Sequence, residues 1–147
     1  MSAAPSPPAG PEMSLARVQE ILDTSPFIHL LRMRAVSFDI ERQQVVIEMP
    51  LLPEFQRWPE TGQFHGGVIA SLIDVAGDFA LVILVGGGVP TINLRVDYLR
   101  PAGSGGLSAT ATVRRAGRTI GVVDIDVTDG SGKLVAVGRG CYGMAVG

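Results

Sequence analysis

Cysteine is nearly absent. The chain has one, Cys141, which excludes an intrachain disulfide. With no histidine near it in sequence to help form a thiolate, it reads as a small buried hydrophobe rather than a nucleophile. Net charge is close to absent too, at −2, and Lys and Arg are massed in no one stretch, which argues against a nucleic-acid partner. No Cys/His cluster and no paired His offers a metal site, so no metal is expected. The start of the chain, Met1 to Pro11, lacks the basic and apolar regions of a secretory signal. Its Ala, Pro and Ser read as a disordered tail over residues 1–13, ahead of one domain over 14–147. No segment reads as a membrane span, because the run from Val68 to Val85 contains Asp74 and Asp78 and ends in Gly86-Gly87-Gly88. The expected compartment is the cytoplasm.

Apolar surface is what the chain has in excess. Hydrophobic residues make up 46% and mean hydropathy is +0.33. Such surface is often covered in an oligomer. A chain of 147 residues can bury one core without staples.

Periodicity divides that core. Ser14 is a plausible N-cap, and Leu15, Val18, Ile21 and Leu22 follow at helical spacing until Pro26 stops them. Two strands, Met33 to Asp39 and Gln44 to Met49, flank a tight turn near Glu41-Arg42. Pro50 to Gly62 is a loop with room for one helical turn. A long helix is predicted from about Gly66 to Leu84, apolar on nearly every face and therefore enclosed by other structure. After Gly86-Gly87-Gly88 the period becomes two. Ile92, Leu94, Val96 and Tyr98 alternate with polar positions, as do Leu107, Ala109, Ala111 and Val113, and then Val123, Ile125 and Val127. Turns are predicted at 101–106, 116–118 and 129–132, and a last strand runs from Lys133 to about Gly143. The order is helix, two strands, buried helix, four strands. It fits an α+β fold with a six-stranded antiparallel sheet around one long helix.

The polar interruptions of the buried helix are Ser71, Asp74 and Asp78. A carboxylate there is costly and asks for a reason. Gly66 and Gly67 open the helix, where unpaired N–H groups carry a partial positive charge.

These residues carry a resemblance. His65-Gly66-Gly67 with Leu72, Asp74, Ala76 and Ala80 is one piece of it. Asp97 to Ala102, Arg115-Ala116-Gly117-Arg118 and Gly130 to Ala136 follow in order. Over about Ser25 to Gly143 the chain resembles the hotdog-fold acyl-CoA thioesterases of the PaaI-like group, within the 4-hydroxybenzoyl-CoA thioesterase superfamily. The resemblance implies the hotdog fold and a homodimer joined sheet edge to sheet edge, assembling further to a homotetramer. It also implies hydrolysis of an acyl- or aryl-CoA with no cofactor beyond the coenzyme A of the substrate.

It implies roles as well. Asp74 is the essential carboxylate, as general base on water or as nucleophile; a thiolate leaves easily, so one carboxylate and an electrophilic pocket can suffice. The alternative for Asp74 is a buried acid bonded to a neighbouring hydroxyl or backbone group. The Gly66 amide, with Gly67 beside it, polarises the thioester carbonyl for the other subunit's carboxylate. His65 shapes this loop. Thr91, after one extra residue in the loop before it, aligns with a Ser/Thr that holds the carboxylate or water. Arg100, Arg115 and Arg118, with Gly117 beside the last, fall where basic residues meet coenzyme A phosphates. Asp78 is expected at the dimer seam or in solvent. Some members place an Asn or Gln before the His-Gly-Gly to orient water. By spacing from Gly62 that position is Pro59 here, and Gln63 or Glu60 would substitute only through a different loop path. Apolar pocket walls are expected from the helix, Phe55, Trp58 and Phe79. The missing amide favours the alternative of a non-catalytic acyl-CoA-binding module. Hydratase chemistry needs a differently placed Asp/His pair.

Overall fold

The computed structural model describes residues 13–103 and 105–144. The predicted tail lies outside the described residues, apart from Met13. Helix α1 is Leu15–Thr24, capped by the Ser14 side chain, which accepts from the Arg17 N–H, and buries Val18 and Leu22. A short 3-10 turn, Ile28–Leu31, leads into strands β1 (Arg34–Asp39) and β2 (Gln44–Met49). The loop after β2 holds one more such turn, Pro53–Phe55. Helix α2 is Gly66–Val85, and four strands follow: β3 (Thr91–Tyr98), β4 (Leu107–Ala116), β5 (Ile120–Asp129) and β6 (Leu134–Gly143).

All six strands form one antiparallel sheet in the order β1-β2-β4-β5-β6-β3. The stretch at 101–106, predicted as a turn, is therefore a crossover: β3 pairs with β6 at one edge, and the chain travels back to lay β4 against β2. Period-two patterning marks each strand but carries no information about its neighbour. Leu107, Ala109, Ala111, Val113, Val123, Ile125 and Val127 all point inward and are buried, as their alternation requires. The opposite face is polar. Cys141 sits there, only part-buried and level with Asn93 and Val122, which corrects the expectation of a buried thiol.

Helix α2 packs on the inner face of the sheet. By length and hydropathy it could cross a bilayer, with a window mean of 2.3, but it is the core helix of this fold. Leu72, Ile73, Ala76, Ala80 and Leu81 are fully enclosed. Tyr142 of β6 fixes its position along the sheet. The ring is fully buried, and its hydroxyl donates to the Asp74 carbonyl oxygen at 3.0 Å. Glycine at 77 and 140 makes this possible, because a Cβ at either would overlap the Tyr142 hydroxyl. Gly86 ends the helix with φ of 77°, a left-handed conformation that favours glycine.

The two sheet edges differ. α1 packs on β1. β3 has no strand on its outer side among the described residues, and Ile92 and Tyr98 are more than half exposed.

Candidate active site

The N-terminus of α2 is held by its neighbours before it holds anything else. Phe64 N–H donates to the Ala102 carbonyl at 2.8 Å and His65 N–H to the Phe55 carbonyl at 2.7 Å, so the entering loop is pinned on both sides. His65 is the N-cap: its Nδ1 accepts from Gly67 N–H at 2.9 Å, and its carbonyl accepts from Val68 and Ile69. Three of the first four helix amides are thereby satisfied. The fourth, Gly66 N–H, meets no acceptor among the described residues. Of the two glycines singled out in the sequence, Gly66 thus keeps a donor free for a ligand, and Gly67 does not.

Tyr98 at the end of β3 braces the same turn, its hydroxyl donating to the Gly66 carbonyl oxygen at 2.6 Å. Sequence reasoning gave Tyr98 no role. The available signal was an aromatic ending an exposed strand within the motif, followed by Arg100. Beside it lies a cavity of about 390 Å³, lined among others by Arg57, Gln63, Gly66, Tyr98 and Arg100. Gln63 reaches this cavity by the loop path that spacing from Gly62 could not show. Its side-chain carbonyl accepts from Arg57 Nε at 2.7 Å, which fixes the orientation of the amide.

Asp74 lies eight residues beyond Gly66, about 12 Å along the helix axis. Thr91 Oγ1 donates to Asp74 Oδ1 at 2.8 Å, so the first residue of β3 orients the carboxylate. Ser71 turns away and bonds its own helix at the Gly67 carbonyl, 2.9 Å. Arg100 sits at the Gly66 end of α2. Arg115, Gly117 and Arg118 sit at the β4–β5 hairpin, beyond the point where Gly121 meets Leu81 near the other end of the helix. One protomer therefore does not bring the three arginines together. Phe55 is core and Trp58 is 70% exposed, while Phe79 lines a cavity beside the second half of α2.

Asp78, expected at the dimer seam or in solvent, is part-buried within the protomer, and its Oδ1 is enclosed and without a hydrogen-bond partner among the described residues. Burial first, and the Asp74 carboxylate second, push its carboxyl up to about 7, against a lowering contribution from the Val89 N–H. The sign for stability follows. Unfolded, this group titrates near 3.8, so between there and about 7 the folded state binds the extra proton. Stability contributed by this site is then lost as pH rises through that window and stays lost above it. Asp78→Asn should therefore be more stable than the parent above pH 7, by roughly 1–4 kcal/mol. The gain should shrink towards zero near pH 4 in urea melts taken across pH; a gain independent of pH would refute the assignment.

The sequence profile of the thioesterase superfamily matches residues 61–136, from the loop before His65 into β6. The chain belongs to the thioesterase superfamily. Its superfamily relatives include acyl-coenzyme A thioesterase 13 of Mus musculus, 32% identical over 66% of this chain and 70% of that one. A Halobacterium salinarum protein described as an esterase is 46% identical over 57% of this chain, and the match covers 62% of that relative. Among solved thioesterase-like folds, the PaaI protein of the phenylacetic acid degradation operon of Escherichia coli superposes with a TM-score of 0.77 at 27% identity, over 91% of this chain and 98% of that one. The fold is accordingly the hotdog fold, and the superfamily places this chain among thioester hydrolases.

Proposed function

We propose that the protein hydrolyses an acyl-CoA or aryl-CoA to the free acid and coenzyme A, at two equivalent sites built across a homodimer. The observation that carries this reading is the separation of the free Gly66 amide from Asp74 within one chain. A carbonyl contacting both is out of reach along one helix. Two copies paired antiparallel through their exposed β3 edges remove the difficulty. In that arrangement Thr91 of one protomer faces the Tyr98 end of the other, so Asp74 approaches the partner's Gly66.

The chemistry then runs through named atoms. The Gly66 N–H and the positive end of α2 stabilise the oxyanion that develops on the thioester oxygen. Asp74, oriented by Thr91, either takes a proton from the attacking water or adds to the carbonyl itself, giving a mixed anhydride that water then hydrolyses to the free acid. The side-chain N–H groups of Gln63 remain for that water, since its oxygen is already held by Arg57. Coenzyme A leaves as a thiolate, and Arg57 and Arg100 flank the cavity with positive charge suited to its phosphates. The same fold could capture acyl-CoA without cleaving it, the reading that Pro59 favoured; Gln63 at the cavity weakens that case.

The test is release of coenzyme A, followed with a thiol reagent, from acyl-CoAs ranging from acetyl to palmitoyl and from benzoyl-CoA. Turnover on at least one of them is expected. Tight binding with no release would favour the binding module instead.

A further inference from the structure

A second cavity, of about 330 Å³, lies between α1, the second half of α2 and the glycine loop 86–88. Its walls include Ile21, Ile28, Phe79 and Val82, with Arg17 and Asp78 as the charged members. Arg17 is already paired with Glu20 at 2.7 Å, which leaves Asp78 as the polar group short of partners. The cavity is lined by Asp78, which stands one helical turn, about 6 Å, past Asp74 on the same face of α2. Its volume falls at the small end of ligand pockets, and its walls are mainly apolar, as an acyl group requires.

We propose that the acyl part of the substrate enters this cavity past Asp74, and that Asp78 is a specificity-determining residue selecting acyl groups with a hydroxyl remote from the thioester. The proposal rests on the thioesterase reading above. A neutral hydroxyl is favoured over an ammonium because burying a second charge here costs far more than burying a group that can hydrogen-bond. With the carboxyl titrating near neutrality, Asp78 can either donate to a hydroxyl or accept from it. A plain alkyl chain would instead seal the unpaired Oδ1 away from water with no partner, which penalises it.

The experiment compares kcat/KM for hexanoyl-CoA and ω-hydroxyhexanoyl-CoA in the parent, Asp78→Leu and Asp78→Asn. The parent should prefer the hydroxylated substrate by about tenfold. Asp78→Leu should lose that preference, and Asp78→Asn, which still donates and accepts, should keep most of it. The ratio within one variant does not depend on how much protein is folded, so a merely structural role would not move it. If Asp78→Leu folds poorly, Asp78→Ala supplies the same ratio. An equal preference in parent and Asp78→Leu overturns the proposal while leaving the thioesterase reading standing. A parent that cleaves neither substrate but cleaves other acyl-CoAs overturns only the acyl-site assignment.

Discussion

Asp74→Asn should lower kcat by about two to four orders of magnitude while leaving a folded protein of unchanged oligomeric state. The substitution is nearly isosteric. Its amide oxygen can still accept the Thr91 hydroxyl that now reaches Oδ1 at 2.8 Å. The Tyr142 bond goes to the Asp74 backbone carbonyl and is indifferent to the side chain. What disappears is the anionic oxygen, both as proton acceptor and as nucleophile. Circular dichroism and gel filtration check the fold, and coenzyme A release checks the chemistry. Activity within a few-fold of the parent would remove Asp74 from the mechanism.

Gly66→Pro should cost about a hundredfold to a thousandfold in kcat, the effect of losing one oxyanion donor. This replacement deletes the N–H in question and little else. Proline is well suited to the first helical position. His65 before it already has φ of −65° and ψ of 138°, the extended conformation that a following proline demands. A Cβ at 66 would approach the exposed Tyr98 ring at 3.3 Å, tight but with a side chain that can shift. Mixing the two inactive proteins makes the test sharper. If each site takes Asp74 from one protomer and Gly66 from the other, a mixed dimer holds one intact site and one doubly impaired site. Random re-association of equal amounts should then restore about a quarter of parental activity. No recovery from a mixture shown to exchange subunits would place both groups in the same chain's site and defeat the cross-subunit reading.

Several parts of this arrangement were legible in the sequence because local rules govern them. The Gly66 start of α2 follows from two glycines opening a long apolar run, and its end from the glycine run at 86–88. The strand positions follow from alternation. The Thr91–Asp74 contact was among the expectations that the family resemblance carried, not one that local rules supplied. Other parts were not legible, each for a stated reason. That Gly67 is already bonded depends on the rotamer of His65. That Gln63 reaches the Gly66 cavity depends on a loop pinned by Phe55 and Ala102. That Tyr142 clamps the helix depends on two glycines, 77 and 140, coming together from a helix and a strand distant in sequence. That Asp78 Oδ1 is enclosed depends on α1 and the 86–88 loop packing beside it, whereas the helix pattern alone shows only which face it shares with Asp74.

By itself the sequence determined the helix, the strands, the one polar face of the buried helix and the chemical types on it, because spacing and propensity act within a few residues. Only the tertiary structure decided which strands are neighbours, which helix amide stays free, and that β3 lies at an edge of the sheet. Those outcomes depend on contacts between segments far apart along the chain. Burial and hydrogen bonding settle such contacts after the local elements have formed.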